Sequence, residues 1–375
     1  MTTASARATF SLEAQDGPAR AGSMTVRGKT LRTPAFLPVG TYGAVKGLAP
    51  EMLEQLGAEM LLANAYHLHD RPGADTVAAF GGLHAFMHWD GLLLTDSGGF
   101  QVFSMLDIAS IDRDGVSFRS PVDGRALRLG PREAVEIQRD LDSDIAMVFD
   151  HCPALPTPDD ELQRAVDRTT RWAAIAKEAH AEGNTRGQAQ FAIVQGGLDD
   201  ALRQRSAEEL TALGFDGYAM GGLSVGEATA DLTAAIGRYA SLLPEDRVRY
   251  VMGIGHPADV MTAIASGFDM FDSVLPTRNG RHGTLFTRDG TIHLRNARFR
   301  RATDPIDPDC DCPACPDWSL GVLRHLIVTA EPLGRMLCAA HNLRFLHRLV
   351  EGAREAIQQG RFDEYARSRG SFGRS

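Results

Sequence analysis

The chain contains no run approaching 18 consecutive apolar residues, which excludes a transmembrane helix. Cysteine is scarce, with five in 375 residues, and Cys310, Cys312 and Cys315 are crowded together. That distribution excludes a disulfide framework and suits a reducing compartment. The first twenty residues lack an apolar core, and Glu13 and Asp16 come too early for a transit peptide. No secretory address is therefore expected, and the protein reads as cytoplasmic. Lysine is nearly missing: Lys29, Lys46 and Lys177 are the only three among 39 basic residues. No internal repeat or low-complexity tract is present. The remaining composition, 43% hydrophobic and 23% charged, is that of a globular protein. The length suits two or three domains of ~150 residues, or one α/β barrel of ~250 residues with additions.

Positive charge is also short overall, since the net charge is −9, which on its face argues against a nucleic-acid partner. The distribution is uneven, however. Between Pro276 and Arg301 stand seven arginines (278, 281, 288, 295, 298, 300 and 301) and one aspartate, a net of +6 that leaves −15 for the rest. A solvated basic face is the plain explanation, and a phosphate-binding strip is the functional one.

Eight short apolar or β-branched runs occur at 33–40, 59–66, 91–98, 144–151, 189–197, 216–224, 247–255 and 268–276. They are mostly continuous rather than alternating, as strands buried on both faces are. Helical patterns lie at 50–56, 131–141, 158–181, 199–213, 227–243 and 257–266, several with proline at the first position. Strands alternating with helices predict an α/β fold, a (β/α)8 TIM barrel, with a doubly wound sheet as the alternative because spacing does not show closure. The crossover between Gly98 and Asp144 is too long, and its Asp114-Gly115 and Asp123-Gly124 turn signals predict a small β insertion over 111–129. Past Pro276 come a basic hairpin-like stretch, the cysteine cluster and a helical region from about 320 to 359.

In a barrel the reacting groups gather at the carboxyl ends of the strands. There the runs carry Asp96, Asp150-His151-Cys152, Gln195-Gly196-Gly197, Gly221-Gly222-Leu223 and Asp272. Each aspartate taken alone could cap the next helix. Three at one mouth suit attack at a sugar carbon or general acid/base work. Gln195 and the exposed backbone at Gly221-Gly222 suit reading a planar base edge, although tight turns also use such glycines. His67-Leu68-His69 at the second strand end allows a metallohydrolase, but no histidine at the fifth or sixth strand end completes that set, so packing is the expected role. Cys310, Cys312 and Cys315 form a C-x-C-x2-C run that suits a structural zinc, with His325, Cys338, His341 and His347 as candidates for the fourth ligand.

Together these residues resemble the tRNA-guanine transglycosylase (queuine tRNA-ribosyltransferase) family. The resembling stretches run in order from about residue 10 to 365. They include TPAFLPVGTYGAVKGL, LLTDSGGFQVFS, DIAMVFDHC, VQGG, GGLSVGE, VMGIGHP, FDMFDSVLPTRNGRHG and CDCPAC with AHN. The resemblance implies a single (β/α)8 barrel domain over 1–375, including a zinc-binding subdomain over 303–347. It implies exchange of guanine at wobble position 34 of G-U-N anticodon tRNAs for a 7-deazaguanine. Asp272 would be the nucleophile and Asp96 the general acid/base. Asp150, Gln195 and the Gly222 amide would read the base edge, and Leu223 would offer a carbonyl. Phe100 and Met252 would sandwich the base, and Glu227 would brace the loop. Arg278 and Arg281 would hold tRNA, and Cys310, Cys312, Cys315 and His341 would hold one Zn2+.

Cys152 and Val225 resemble the bacterial branch, which uses 7-aminomethyl-7-deazaguanine (preQ1). His151 departs from the glutamate usual there. The expected partners are the tRNA anticodon loop, the base and a second copy of the chain, with no membrane. A non-catalytic accessory subunit is the alternative within the family, and retention of Asp96, Asp150 and Asp272 favours the enzyme.

Overall fold

A computed structural model describes residues 7–103, 109–183, 186–223 and 229–369. The chain begins with an antiparallel sheet of β1 (Ala8–Asp16), β2 (Ala19–Val26) and β3 (Lys29–Thr33). No strong apolar run marks this segment, and the sequence reading above does not anticipate it. Next come β4 (Ala35–Pro38), β5 (Met60–Ala63) and β6 (Leu92–Thr95). An inserted three-stranded sheet follows, with β7 (Ala109–Ile111), β8 (Val116–Arg119) and β9 (Ala126–Leu129), where the two Asp-Gly turns placed it. The main sheet resumes with β10 (Ile145–Met147), β11 (Ala189–Val194), β12 (Gly217–Met220), β13 (Arg249–Val251) and β14 (Met270–Ser273).

These eight strands run parallel in the order β4-β14-β13-β12-β11-β10-β6-β5. A parallel bridge between Val39 and Leu62, with the Gly40 N–H donating to the Leu62 carbonyl at 2.7 Å, joins β4 to β5. That contact closes the sheet into a (β/α)8 barrel and removes the doubly wound alternative. The helices on the outside include Pro50–Gln55, Pro131–Leu141, Asp159–Gly183, Asp200–Leu213, Thr229–Tyr239, Pro257–Ala265 and Leu275–His282.

The strands alternate between two apolar layers. Leu37, Leu62, Leu94, Met147, Ile193, Ala219, Tyr250 and Met270 fill the interior. Phe36, Leu61, Leu93, Ala192, Tyr218, Val251 and Phe271 face the helices. Met24, Val26 and Leu31 of the N-terminal sheet join the interior layer. Arg20 pairs with buried Asp269, at the start of β14, at 3.2 Å. The N-terminal sheet thus plugs the end of the barrel where the strands begin, and leaves the carboxyl ends open.

Two expectations are corrected. His67 and His69 sit on the helix Ala65–Asp70, not on a strand. Two residues apart on a helix they face different ways, and His67 lies between Tyr42 and Tyr66, with ring centroids at 4.9 and 5.3 Å. The basic stretch after Pro276 is not all hairpin: Arg278 and Arg281 lie on the helix Leu275–His282, and only then do β15 (Thr284–Thr287) and β16 (Gly290–His293) form one.

Candidate functional site

Period-two alternation carries the interior layer up to the mouth. Leu92 and Leu94 lead to Asp96, Ile193 to Gln195, Tyr250 to Met252 and Met270 to Asp272, so each of these residues points inward. Asp150 arrives differently. The Gln138 side chain of the helix Pro131–Leu141 accepts from the Met147 N–H at 2.9 Å and donates to the Met147 carbonyl at 2.9 Å. It also accepts from the Thr95 hydroxyl at 3.0 Å. This amide takes up both backbone groups of Met147, just past the last β6–β10 pair, Ala146 with Thr95. Val148 and Phe149 then both pack outward, and the chain turns Asp150 into the mouth.

The site carboxyls are all buried. Asp96 accepts from the Ala65 N–H at 2.8 Å, from Gln101 Nε2 at 2.8 Å and from Asn64 Nδ2. Burial nevertheless holds its pKa up at about 6, and the Asp272 charge adds to the rise. Asp150 accepts from Gln195 Nε2 at 2.7 Å and Ser97 Oγ at 3.2 Å, and burial with the nearby Asp96 charge puts it at about 6 as well.

Asp272 Oδ1 accepts from the Tyr250 hydroxyl and, at 3.0 Å, from the Gly253 N–H. Among the described residues no donor meets its other oxygen. Burial raises the Asp272 pKa, and the Tyr250 and Gly253 donors oppose the rise. Burial pushes the Cys152 thiol up to about 12, so it is no thiolate nucleophile near neutrality.

Gly222 has φ +64, and a Cβ there would lie 2.5 Å from Gln195 Oε1, so glycine suits both the backbone conformation and the close approach of this loop to Gln195. Leu223 beside it is buried, Met252 is half-buried and Phe100 is half-exposed on the helix Gly99–Phe103. His151 is buried beneath the site: its ring stacks on Phe103 at 4.2 Å, and Arg168 Nη1 lies 3.0 Å from its Nδ1. Burial and the Arg168 charge lower its pKa to about 4, so it is neutral. Glu227 and Val225 lie outside the described residues.

Cys310, Cys312, Cys315 and His341 are buried together, with ligand atoms all within 4.8 Å of one another. The three sulfurs stand 3.7, 3.5 and 3.3 Å from His341 Nδ1. A tetrahedral ion with ordinary zinc–sulfur and zinc–nitrogen bonds sets that edge at about 3.6 Å, so the group fits such an ion. His341 Nε2 lies 2.8 Å from the Phe286 carbonyl, and donation there leaves Nδ1 as the ligand atom. Of the open fourth-ligand candidates, His341 is the one in place. Its neighbour Asn342 accepts from the Phe286 N–H at 3.0 Å and donates to the carbonyls of Pro276 at 3.0 Å and Thr284 at 2.9 Å. The long helix Pro332–Gln358 therefore holds both the metal-ligand group and the start of the arginine helix.

Arg278 is exposed, while Arg281 is half-buried with Nη1 lacking a partner among the described residues. Burial and the charges of Arg278 and Arg335 lower the Arg281 pKa. Of the seven arginines from 278 to 301, only Arg288 makes an ion pair among the described residues, with Asp309.

The sequence reading missed Tyr250, Gln138, Asn64 and Arg203. A tyrosine at an inward position of β13 and an arginine on the buried stripe of an amphipathic helix were signals for two of them.

This architecture defines a class: a (β/α)8 barrel with ionisable groups gathered at the carboxyl ends of its strands and a Cys3His metal-ligand group beside the last one. A family model described as queuine tRNA-ribosyltransferase matches residues 15–371. Proteins named queuine tRNA-ribosyltransferase from Nitrosomonas eutropha and Nitrosomonas europaea are each 49% identical, over 95% and 96% of this chain and 98% and 96% of their own. One from Thioalkalivibrio sulfidiphilus is 47% identical over 95% of both chains. The chain belongs to the queuine tRNA-ribosyltransferase family, whose members are pentosyltransferases.

Proposed function

We propose that the protein is a tRNA-guanine transglycosylase. It exchanges guanine at wobble position 34 of tRNAs with G-U-N anticodons (Asp, Asn, His, Tyr) for 7-aminomethyl-7-deazaguanine, through a covalent ribosyl-aspartate, in queuosine biosynthesis. The observation that carries this reading is the asymmetry of Asp272. Tyr250 and Gly253 occupy one oxygen, and the other is left for attack.

That oxygen attacks the ribose C1′, the bond from C1′ to guanine N9 breaks, and the electron pair leaves with the base. Asp96 supplies the proton for the departing base, which a group with a pKa of about 6 can do near neutrality. In the second half Asp96 takes the proton from the incoming base. The base nitrogen attacks C1′ and the C1′–Asp272 bond breaks. The RNA backbone is not cut.

Asp150, Gln195 and the Gly222 N–H read the base edge, Leu223 offers its carbonyl, and Phe100 and Met252 flank the ring. Cys152 lines the pocket without reacting, and Glu227 braces the loop. The base must leave its stack, which an anticodon loop permits more readily than a duplex does. Arg278 and Arg281 hold backbone phosphates. Zinc is the metal that a three-thiolate, one-imidazole group favours, and there it fixes structure. The segment over 303–347 that carries it is a subdomain of the one barrel domain. The same reading makes the protein a cytoplasmic homodimer.

Replacing Asp272 tests the reading. Asp272→Asn should leave tRNA binding within about twofold and lower incorporation of labelled guanine by roughly 10³-fold or more, as expected for removal of a covalent nucleophile. Wild-type exchange by that variant would remove the nucleophile assignment.

A further inference from the structure

The helix Asp200–Leu213 buries Arg203, Ser206, Ala207 and Leu210, an i, i+3, i+4, i+7 stripe facing the barrel. A cation in that stripe is unfavourable on two counts. Arg203 is 0% exposed, and it sits in the first turn, where the helix dipole repels positive charge. Its compensation is a set of backbone carbonyls. Nε donates to Gly197 O at 2.9 Å, and Nη1 donates to Val194 O at 2.8 Å and Gly221 O at 2.7 Å. Nη2 reaches Gly222 O at 3.4 Å, and the guanidinium lies over the Tyr239 ring at 5.2 Å. Ser206, one turn on, accepts from the Gln195 N–H at 3.2 Å. The helix backbone also comes close: Gly196 has φ +142, and a Cβ there would lie 2.8 Å from the Arg203 backbone nitrogen.

The guanidinium thus ties the loop after β11 to the loop after β12 from behind. In a trans peptide the carbonyl and the following N–H point opposite ways. Drawing the Gly221 carbonyl outward to Arg203 turns the Gly222 N–H inward, toward the barrel axis.

We infer that Arg203 is a positioning residue for base selection, setting the Gly222 N–H as a fixed donor that favours a heterocycle with a carbonyl acceptor on that edge. The inference rests on the base-edge role proposed above for Gln195 and Gly222. Its test compares guanine with 6-thioguanine, which keeps the ring hydrogens but carries a weakly accepting sulfur in place of the carbonyl oxygen. Inhibition constants of both bases are measured in the exchange reaction for the wild-type chain, Arg203→Lys and Arg203→Met, with tRNA affinity measured alongside.

The expected result is a guanine constant raised about tenfold or more, a 6-thioguanine constant changed by no more than about twofold, and tRNA affinity kept, the scale of one lost hydrogen bond. A merely structural role would weaken both bases equally, and that outcome, or an unchanged ratio, overturns the inference. If Arg203→Met does not fold, Arg203→Lys, which keeps the charge without the fork, decides alone. A wild-type protein that does not distinguish the two bases would overturn the base-edge reading itself. A variant that keeps the wild-type ratio overturns only the role of Arg203.

Discussion

The two oxygens of Asp272 have different surroundings, and the difference is made by the Tyr250 hydroxyl and the Gly253 N–H. The tyrosine hydroxyl favours the ionised carboxylate, so its loss must raise a pKa that burial has already raised. If Asp272 is the nucleophile, as proposed, Tyr250→Phe should therefore move the acid limb of the pH–rate profile to higher pH, because the ionised form attacks. A hydrogen bond to a charged group carries about 1.5–3 kcal/mol, so the rate on the acid limb should fall roughly tenfold or more, and less on the plateau at higher pH. A pH profile of exchange for the two proteins checks this, and an unmoved limb would detach Tyr250 from the nucleophile. His151, beside Asp150, is held to a pKa of about 4 by burial and the Arg168 charge, so it adds no charge of its own near neutrality.

At the scale of elements, His341 and Asn342 couple the metal-ligand group to the eighth strand end. One residue closes the Cys3His group, and the next bonds both Pro276 and Thr284, at the two ends of the arginine helix. Loss of the ion should loosen that helix as well as its own loop. Elemental analysis should find about one zinc per chain, and Cys312→Ser should remove it. The variant should melt at lower temperature and be cut first by protease between residues 284 and 317. A metal-free variant with wild-type melting and protease resistance would show that the ion holds nothing in place.

At the scale of the molecule, a net charge of −9 describes solubility and says little about RNA. Phosphate contact is local, screened over ~8–10 Å at ordinary salt. Six of the seven arginines between 278 and 301 have no carboxylate partner among the described residues, whereas Arg164 on the outer helix is held by Asp160 and Glu161. Arg278 lies six residues past Asp272, in the first turn of the helix that follows β14. Arg278→Ala and Arg281→Ala should each reduce the slope of log Kd against log salt for tRNA by ~0.7–0.9, while Arg164→Ala leaves it unchanged. Equal slopes for all three would place the RNA elsewhere.

The amino-acid sequence by itself determined the eight barrel strands, most of the helices and the metal-ligand spacing, but not the N-terminal sheet. Continuous apolar runs, first-turn prolines and a C-x-C-x2-C run are local patterns that survive without a fold. Asp96, Gln195 and Asp272 were legible because they stand at the ends of apolar runs, and strand alternation in the fold then turns them inward. Asp150 was legible as a strand-end carboxylate, but its route into the mouth was not, since that depends on Gln138 entering from a neighbouring helix. Residue spacing left barrel closure and the fourth ligand open, although the family resemblance implied a barrel and His341; closure, the sheet plugging the floor and the seating of His341 beside the cysteines belong to the tertiary structure. Each joins groups far apart in the chain, as Val39 meets Leu62, Arg20 meets Asp269 and His341 meets three cysteines. The same holds for Arg203, whose charge is tolerable only where the fold delivers carbonyls from two loops to one guanidinium.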